Sequence, residues 1–414
     1  MVDDLPPLTR RDVVDFLRRH DAAPSTASVR VGVEHESHTY CIADPGRHLH
    51  PDDVLGAIAA APPLPHGGNV TVEPGGQVEV VTTPADPWWA CLDALRVDGA
   101  HVRDALARAG IGTLSAGTDP FREPARTLSK PRYEAMERYF DEWRPAGRIM
   151  MTSSASIQIN VDNGDADTMV RRWALAHHIG PPLGAAFACS PSRTHRSSRL
   201  AAWDAIDPSR TRPVLASGDV ADDWAAYVLD ARVMLLHESD DRCAPVTTPI
   251  TFGEWIESGL DDRRPTELDL TYHCTTLFPP VRPRGWLELR WLDSLPPGLA
   301  EVGVAAIGVL LTDEEAGDRA AHASIPVRGL WADAARHGPR HPDLASAAVT
   351  MLRDAAEALD RSGAPPHYAE LVEDAAARWP GRGRCPADDL EARLRRGDGV
   401  ADLVDPPMEV HRWS

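Results

Sequence analysis

Five short stretches of the chain alternate apolar and polar residues with period two, and in each the polar set is dominated by acids and amides. Successive side chains of a β-strand point to opposite faces. In VGVEHE (31–36), Val31 and Val33 take one face, and Glu34 and Glu36 the other. In NVTVE (69–73), Val70 and Val72 oppose Thr71 and Glu73; in QVEVV (77–81), Val78 and Val80 oppose Gln77 and Glu79. In SIQINVD (156–162), Ile157, Ile159 and Val161 oppose Ser156, Gln158, Asn160 and Asp162. In LELRW (287–291), Leu287, Leu289 and Trp291 oppose Glu288 and Arg290. His35, between the first two acids, belongs to the packing face.

Helical patterns fill the spaces between these strands: 9–20, 51–60 with Pro51 at the first helical position, 87–109 stopped by Gly110, 131–143, 165–180, 222–238 and 251–259. Residues 69–82 read as a hairpin around Pro74-Gly75-Gly76. After about residue 298 the strands cease, and Ala-rich helices are expected at 298–311, 341–361, 366–378 and 386–395. Strands early and helices late predict an α+β fold rather than regular βαβ alternation. With no internal repeat and no low-complexity linker, the 414 residues read as one catalytic domain. Its sheet-bearing core spans about 29–297 and its helical C-terminal layer about 298–414.

The plainest reading of any one of these strands is a half-solvated antiparallel sheet. The set is harder to place in water, because its polar face is nearly all carboxylate and amide. Unpaired carboxylates on adjacent strands repel, and divalent cations relieve that repulsion. Oxygen donors favour Mg²⁺, or Mn²⁺, over zinc, and Mg²⁺ at such a site usually brings a nucleotide phosphate. There is no GxxxxGK[ST] loop and no GxGxxG after a strand, and HESH at 35–38 is not HExxH. His177 and His178, late in an apolar helix, read as packing or a favourable C-terminal charge.

The net charge of −19 argues against a nucleic-acid groove as the main surface. It leaves room for anionic small ligands held by a few arginines in a cleft. The six cysteines form no CxxC pair, so neither a disulfide framework nor a structural zinc site is expected. The N-terminus lacks the pattern of a signal peptide, and the longest apolar run, VGVAAIGVLL at 302–311, is too short to span a bilayer. A cytoplasmic protein with no membrane partner is the expectation.

Six pieces, in order, then carry a resemblance: GVEHE (32–36), VEPGGQVEV (72–80), RYEAMERYF (132–140), GRIMMTSSASIQINVD (147–162), SSRLAAWDAIDPSRT (197–211) and YHCTTLFPPVRPRGWLELRWLD (272–293). Together they span 30 to about 295, and the chain resembles the glutamate–cysteine ligases of the plant and actinobacterial type. Within that carboxylate–amine ligase family it looks like the variant that serves ergothioneine synthesis. The resemblance implies a glutamine-synthetase-like fold, a curved and mainly antiparallel sheet forming the active-site cleft. It also implies a reaction: ATP phosphorylates the γ-carboxylate of glutamate, and the amine of cysteine displaces phosphate to give γ-glutamylcysteine. A different acceptor amine, or a non-catalytic homologue that binds nucleotide or glutamate, are the alternatives.

Placed on this sequence, the resemblance implies metal ligands at Glu34, Glu36, Glu79 and Glu288, with Glu73 next. Gln158 and Asn160 would contact metal-bound water or nucleotide, and Thr275 and Thr276 would line the nucleotide pocket. Arg199 would grip the glutamate α-carboxylate, with Trp203 as a substrate wall. Arg282 and Arg290 would hold phosphates or the acyl phosphate. The partners implied are glutamate, cysteine and ATP with Mg²⁺, on a monomer or small homo-oligomer. Two departures stand out: ACSP at 188–191 where the family usually has ANSP, and Ser37-His38 after the second acid.

Overall fold

The computed structural model describes residues 8–25, 28–239, 242–260 and 263–406. Among the described residues there are nine strands: β1 Val31–Cys41, β2 Asn69–Val72, β3 Val78–Val81, β4 Ile111–Leu114, β5 Ser156–Asp162, β6 Leu235–Ser239, β7 Arg242–Pro245, β8 Val281–Pro283 and β9 Trp286–Asp293. The main sheet runs β2-β3-β1-β5-β9-β8, with β4 on the far end of β1. Every pairing in it is antiparallel. β1 is long enough to serve three neighbours in turn. Val31–His35 pairs with β5, Glu34–Ser37 with β3, and His38–Cys41 with β4.

The alternation decides which face is buried. Val31, Val33, Ile157, Ile159, Val161, Leu287 and Leu289 all enter the main core. Against β5 lies the Leu299–Thr312 helix, apolar around almost its whole circumference and buried from Leu299 to Leu311. A helix of that composition is stable only when covered on all sides, and the Pro342–Ser362 helix covers it. Residues from Val13 to Trp379 share this one core, so the early sheet and the late helices are packed together. His35 is buried beside Ser294 (Nε2 to Oγ 3.2 Å), and burial pulls its pKa down to about 4, so it is a neutral packing residue as expected. Val78 and Val80 face a smaller cluster with Val54, Val102 and Leu106.

The four expected C-terminal helices form within a residue or two of their expected bounds, and further helices at Glu314–Ser324, Trp331–His337 and Val400–Leu403 join them. One expectation fails. Residues 222–238 are not one helix: helix Val220–Asp230 ends, and β6 follows, paired with β7. Ala231 is extended (ψ 138°), the amide of Val233 donates to Ile250 O, and the carbonyl of Arg232 accepts from Arg210. Those tertiary hydrogen bonds override a run, VMLL, whose apolar character suits helix and strand equally. All six cysteines are free. Among the described residues no helix is long and apolar enough to cross a membrane.

Candidate active site

The polar face of the sheet forms the floor of a cleft. Its lining includes Glu36, Glu73, Gln77 and Arg290 from the sheet and its hairpin, Arg132 and Tyr133 from the Pro131–Phe140 helix, and Arg199 and Trp203 from the Ser198–Asp204 helix. Met136, Met150, Met151 and Phe278 supply an apolar wall.

Cross-strand register sets the acids. Glu36 on β1 faces Glu79 on β3, and Thr71 on β2 faces Glu79 in turn. Thr71 Oγ1 donates to Glu79 at 2.5 Å. Glu73 arrives from the β2–β3 turn, which closes through Gly76 N to Glu73 O and Glu73 N to Gln77 O, both 2.8 Å. Gly75 is obligatory there, since a Cβ at that position would stand 1.9 Å from Thr152 O. Thr39 Oγ1 ties the turn down by donating to Gly76 O at 2.7 Å.

The result is that carboxylate oxygens of Glu36, Glu73 and Glu79 all lie within 4.8 Å of one another. Burial, and after it the neighbouring acids, pushes Glu73 up to about 7 and Glu79 up to about 9. Burial also raises Glu36, against the pull of Arg199 and Arg290. Three acids that resist ionising together form a donor set suited to a divalent cation, which would neutralise them.

Glu34 stands apart from that trio, accepting from Asn160 Nδ2 at 2.9 Å. Glu288 differs more sharply from expectation. It is 1% exposed and held by Arg282 Nε at 2.7 Å, Arg290 Nη1 at 3.2 Å and Arg284 Nη1 at 3.5 Å. Burial alone would raise its pKa, but Arg282 and Arg290 outweigh burial and hold the carboxyl down to about 2. Its oxygens are engaged by guanidinium groups, which sets its surroundings apart from those of the Glu36, Glu73 and Glu79 trio. The register explains this: Arg282 on β8 and Asn160 on β5 flank Glu288 directly. Arg282 is likewise spent, donating also to Leu277 O, and it is absent from the cleft lining. Its guanidinium lies against Glu288, the neighbour of Arg290.

Arg290 does line the cleft. Gln158 links it to the acids, accepting from Arg290 Nη1 while donating to Glu36 at 3.2 Å. Glu36 also accepts from Ser156 N at 2.6 Å. Asn160 has both ends engaged, with Trp286 Nε1 donating to its oxygen at 2.8 Å. Gln158 and Asn160 thus orient acids and arginine within the sheet.

Arg199 is 2% exposed, with its guanidinium 4.7 Å from the centre of the Trp203 ring. Only Nη2 is hydrogen-bonded, to Arg290 O at 2.7 Å; Nε and Nη1 have no hydrogen-bond partner. Nη1 faces the Asp293 carboxylate at 3.9 Å, beyond hydrogen-bond reach, and a buried guanidinium with unmade hydrogen bonds is costly unless an acceptor reaches it.

Thr275 and Thr276 do not present free hydroxyls. Thr275 donates to Tyr272 O and accepts from Arg132, and Thr276, 1% exposed, donates to His273 O and accepts from Arg210. Neither is in the cleft lining. The role of Thr275 is to hold Arg132, a cleft residue that sequence reasoning missed although it opens the RYEAMERYF segment. Cys189, the departure in ACSP, is buried outside the cleft, its N–H donating to Asp293 at 2.9 Å. Asp293 also accepts from Ser190 and Ser197 and faces Arg199 at 3.9 Å. Cys189 therefore acts on the site only through that support.

Residues 30–406 match the model of glutamate-cysteine ligase family 2 (GCS2). The chain belongs to that family. Among family members, it is 42% identical over 378 residues to the glutamate–cysteine ligase EgtA of Mycolicibacterium smegmatis, covering 88% of this chain and 87% of that one. It is 40% identical to the EgtA of Mycobacterium tuberculosis H37Rv, covering 92% and 89%. The chloroplastic glutamate–cysteine ligase of Medicago truncatula is 26% identical, covering 70% and 62%. The fold is similar to that of a Francisella tularensis glutamate–cysteine ligase solved with AMP: TM-score 0.53, 14% identity, 91% of this chain and 86% of that one. The expected family and the expected mixed fold on an antiparallel sheet are both borne out.

Proposed function

We propose that the protein is an ATP-dependent glutamate–cysteine ligase that forms γ-glutamylcysteine, ADP and phosphate, supplying ergothioneine synthesis. One observation carries the reading. A buried arginine with two open donors, Arg199, shares a cleft with three mutually repelling acids and with Arg290. That combination suits one substrate bearing a carboxylate at one end and a carboxylate to be phosphorylated at the other. The names of the EgtA relatives support the same substrates.

Arg199 receives the α-carboxylate of glutamate, with Trp203 beside the guanidinium. The γ-carboxylate lies toward the acids and Arg290. Glu36, Glu73 and Glu79 fit Mg²⁺, or Mn²⁺, by their oxygen chemistry and spacing; when bound, that cation neutralises phosphate oxygens of ATP. Arg290, fixed by Glu288 and Gln158, faces the charge that develops on the transferring phosphoryl group. The γ-carboxylate attacks the terminal phosphorus, ADP leaves, and γ-glutamyl phosphate results. The cysteine amine then forms the C–N bond as the C–O bond to phosphate breaks. Met136, Met150, Met151 and Phe278 offer the thiol-bearing side chain a soft apolar wall. Arg132, anchored on Thr275, adds a second cation for nucleotide phosphates. The sheet core and helical layer act in this reading as one catalytic unit.

The test is ADP release by purified protein with ATP and Mg²⁺, omitting each amino acid in turn and replacing cysteine with a panel of amines. Release that needs both glutamate and cysteine, with the dipeptide mass as product, is expected. Folded protein that makes no dipeptide, or that prefers another amine, overturns the assignment.

A further inference from the structure

Gln77 is a cleft residue to which neither strand pattern nor family resemblance gave a role. It is 3% exposed and lies at the start of β3, on the same face as Glu79. Its Nε2 donates to the carbonyl of Ser154 at 2.6 Å. A carbonyl accepts and never donates, so this contact fixes which end of the amide is nitrogen. The other end, Oε1, is therefore an oxygen, and it is buried with no hydrogen-bond partner. Gly75 passes directly beside it: a Cβ at that residue would stand 2.8 Å from Oε1. The loop that delivers Glu73 thus packs against this oxygen without giving it a hydrogen bond.

An orphaned buried amide oxygen costs about 1–3 kcal/mol unless a donor reaches it. The charges around the cleft say which donor. Glu36 and Glu73 share the lining with Gln77, and Arg199 and Arg290 complete it. Such a field orients a zwitterion, its carboxylate to the arginines and its ammonium to the oxygens. Glu36 already accepts from Ser156 N, Ser156 Oγ and Gln158 Nε2, whereas the neutral Gln77 oxygen accepts from no donor.

Resting on the ligase reading above, we infer that Gln77 Oε1 accepts a hydrogen bond from the α-ammonium of the donor substrate, glutamate. Arg199 and Gln77 then read the two groups on its α-carbon together. A dicarboxylic acid without the amine satisfies Arg199 and leaves Gln77 orphaned, and sites built to bond a polar group reject analogues lacking it. Gln77 is a specificity residue in this account and takes no part in phosphoryl transfer.

The experiment compares glutamate with glutarate, which lacks only the α-ammonium, in the wild type and in Gln77→Met. The wild type is expected to prefer glutamate by at least about tenfold in kcat/KM. Gln77→Met is expected to lower kcat/KM for glutamate by about 10–100-fold, leave glutarate within about twofold, and leave the KM for cysteine unchanged. Glutamate and glutarate falling together, or a rise in the KM for cysteine alone, overturns the assignment. Should Gln77→Met not fold, a crystal structure of the wild type with glutamate decides. A substrate nitrogen within hydrogen-bond reach of Oε1 supports the inference, and a nitrogen elsewhere overturns it. A wild type that ligates normally while failing these tests refutes Gln77 alone; a wild type that makes no dipeptide removes the ligase reading and this inference together.

Discussion

Glu288 and Arg282 face each other across the β8–β9 pair, both buried, with Nε and Oε2 2.7 Å apart. Removing one member of a buried ion pair strands the other charges, at a cost of about 3–5 kcal/mol. Glu288→Gln is therefore expected to lower unfolding free energy by about that much, with Arg282 left without its hydrogen-bonded counter-ion and Arg290 with only Glu34 and Glu36. Urea denaturation measures it. An unchanged midpoint with weakened metal binding would instead mark Glu288 as a ligand.

The same carboxyl predicts an acid limb. Its folded pKa, about 2, lies below the 4.5 of a free glutamate, so its contribution is complete above 4.5 and is lost as pH falls toward 2. Glu288→Gln should flatten that limb of the stability profile relative to the wild type.

Glu73 and Glu79 carry the opposite sign. Their folded values, about 7 and 9, are raised, so the folded state holds protons that the unfolded state has released. Metal-free protein is expected to be most stabilised by these groups below pH 4.5, and to lose that stability as pH rises through 7 to 9. Thermal melts in chelator across pH 5–9 read this. Glu73→Gln should raise the metal-free melting temperature at pH 8 and weaken the further rise produced by Mg²⁺; a fall in both temperatures contradicts the cluster.

Arg199→Met removes the open donors while keeping an apolar stem beside Trp203. The expected outcome is a loss of about 10²–10³-fold in kcat/KM for glutamate, with the KM for cysteine nearly unchanged. Equal losses for both amino acids would place the arginine elsewhere in the reaction.

Within the core, Ile307→Ala on the fully buried Leu299–Thr312 helix is expected to cost about 2–5 kcal/mol without changing KM for any substrate. Denaturation and steady-state kinetics together check both halves of that statement.

The alternation of Glu34, Glu36, Gln158, Asn160 and Arg290 with their apolar neighbours was enough to define one polar sheet face, because strand geometry allows no other arrangement. What alternation leaves open is pairing. Glu36, Glu79 and Glu288 look equivalent along the chain, yet β8 folds back on β9 and puts Arg282 against the third alone. Thr275 and Thr276 sit in a segment diagnostic of the family, but their hydroxyls close a helix end and support arginines, a local role that only the turn geometry reveals. Residues 231–239 failed for the same reason, since the partner carbonyls and amides come from distant loops. Gln77 was legible as a face and not as an acceptor, because an unpaired oxygen is a property of three dimensions.

The central claim is that this cleft activates the γ-carboxylate of glutamate as an acyl phosphate before cysteine attacks. Glutamate labelled with ¹⁸O in the γ-carboxylate tests it directly, by following the label into inorganic phosphate with ³¹P NMR during turnover with cysteine, ATP and Mg²⁺. Transfer of one ¹⁸O to phosphate for each γ-glutamylcysteine formed is predicted. Dipeptide with unlabelled phosphate, or folded protein that forms no dipeptide, contradicts the account.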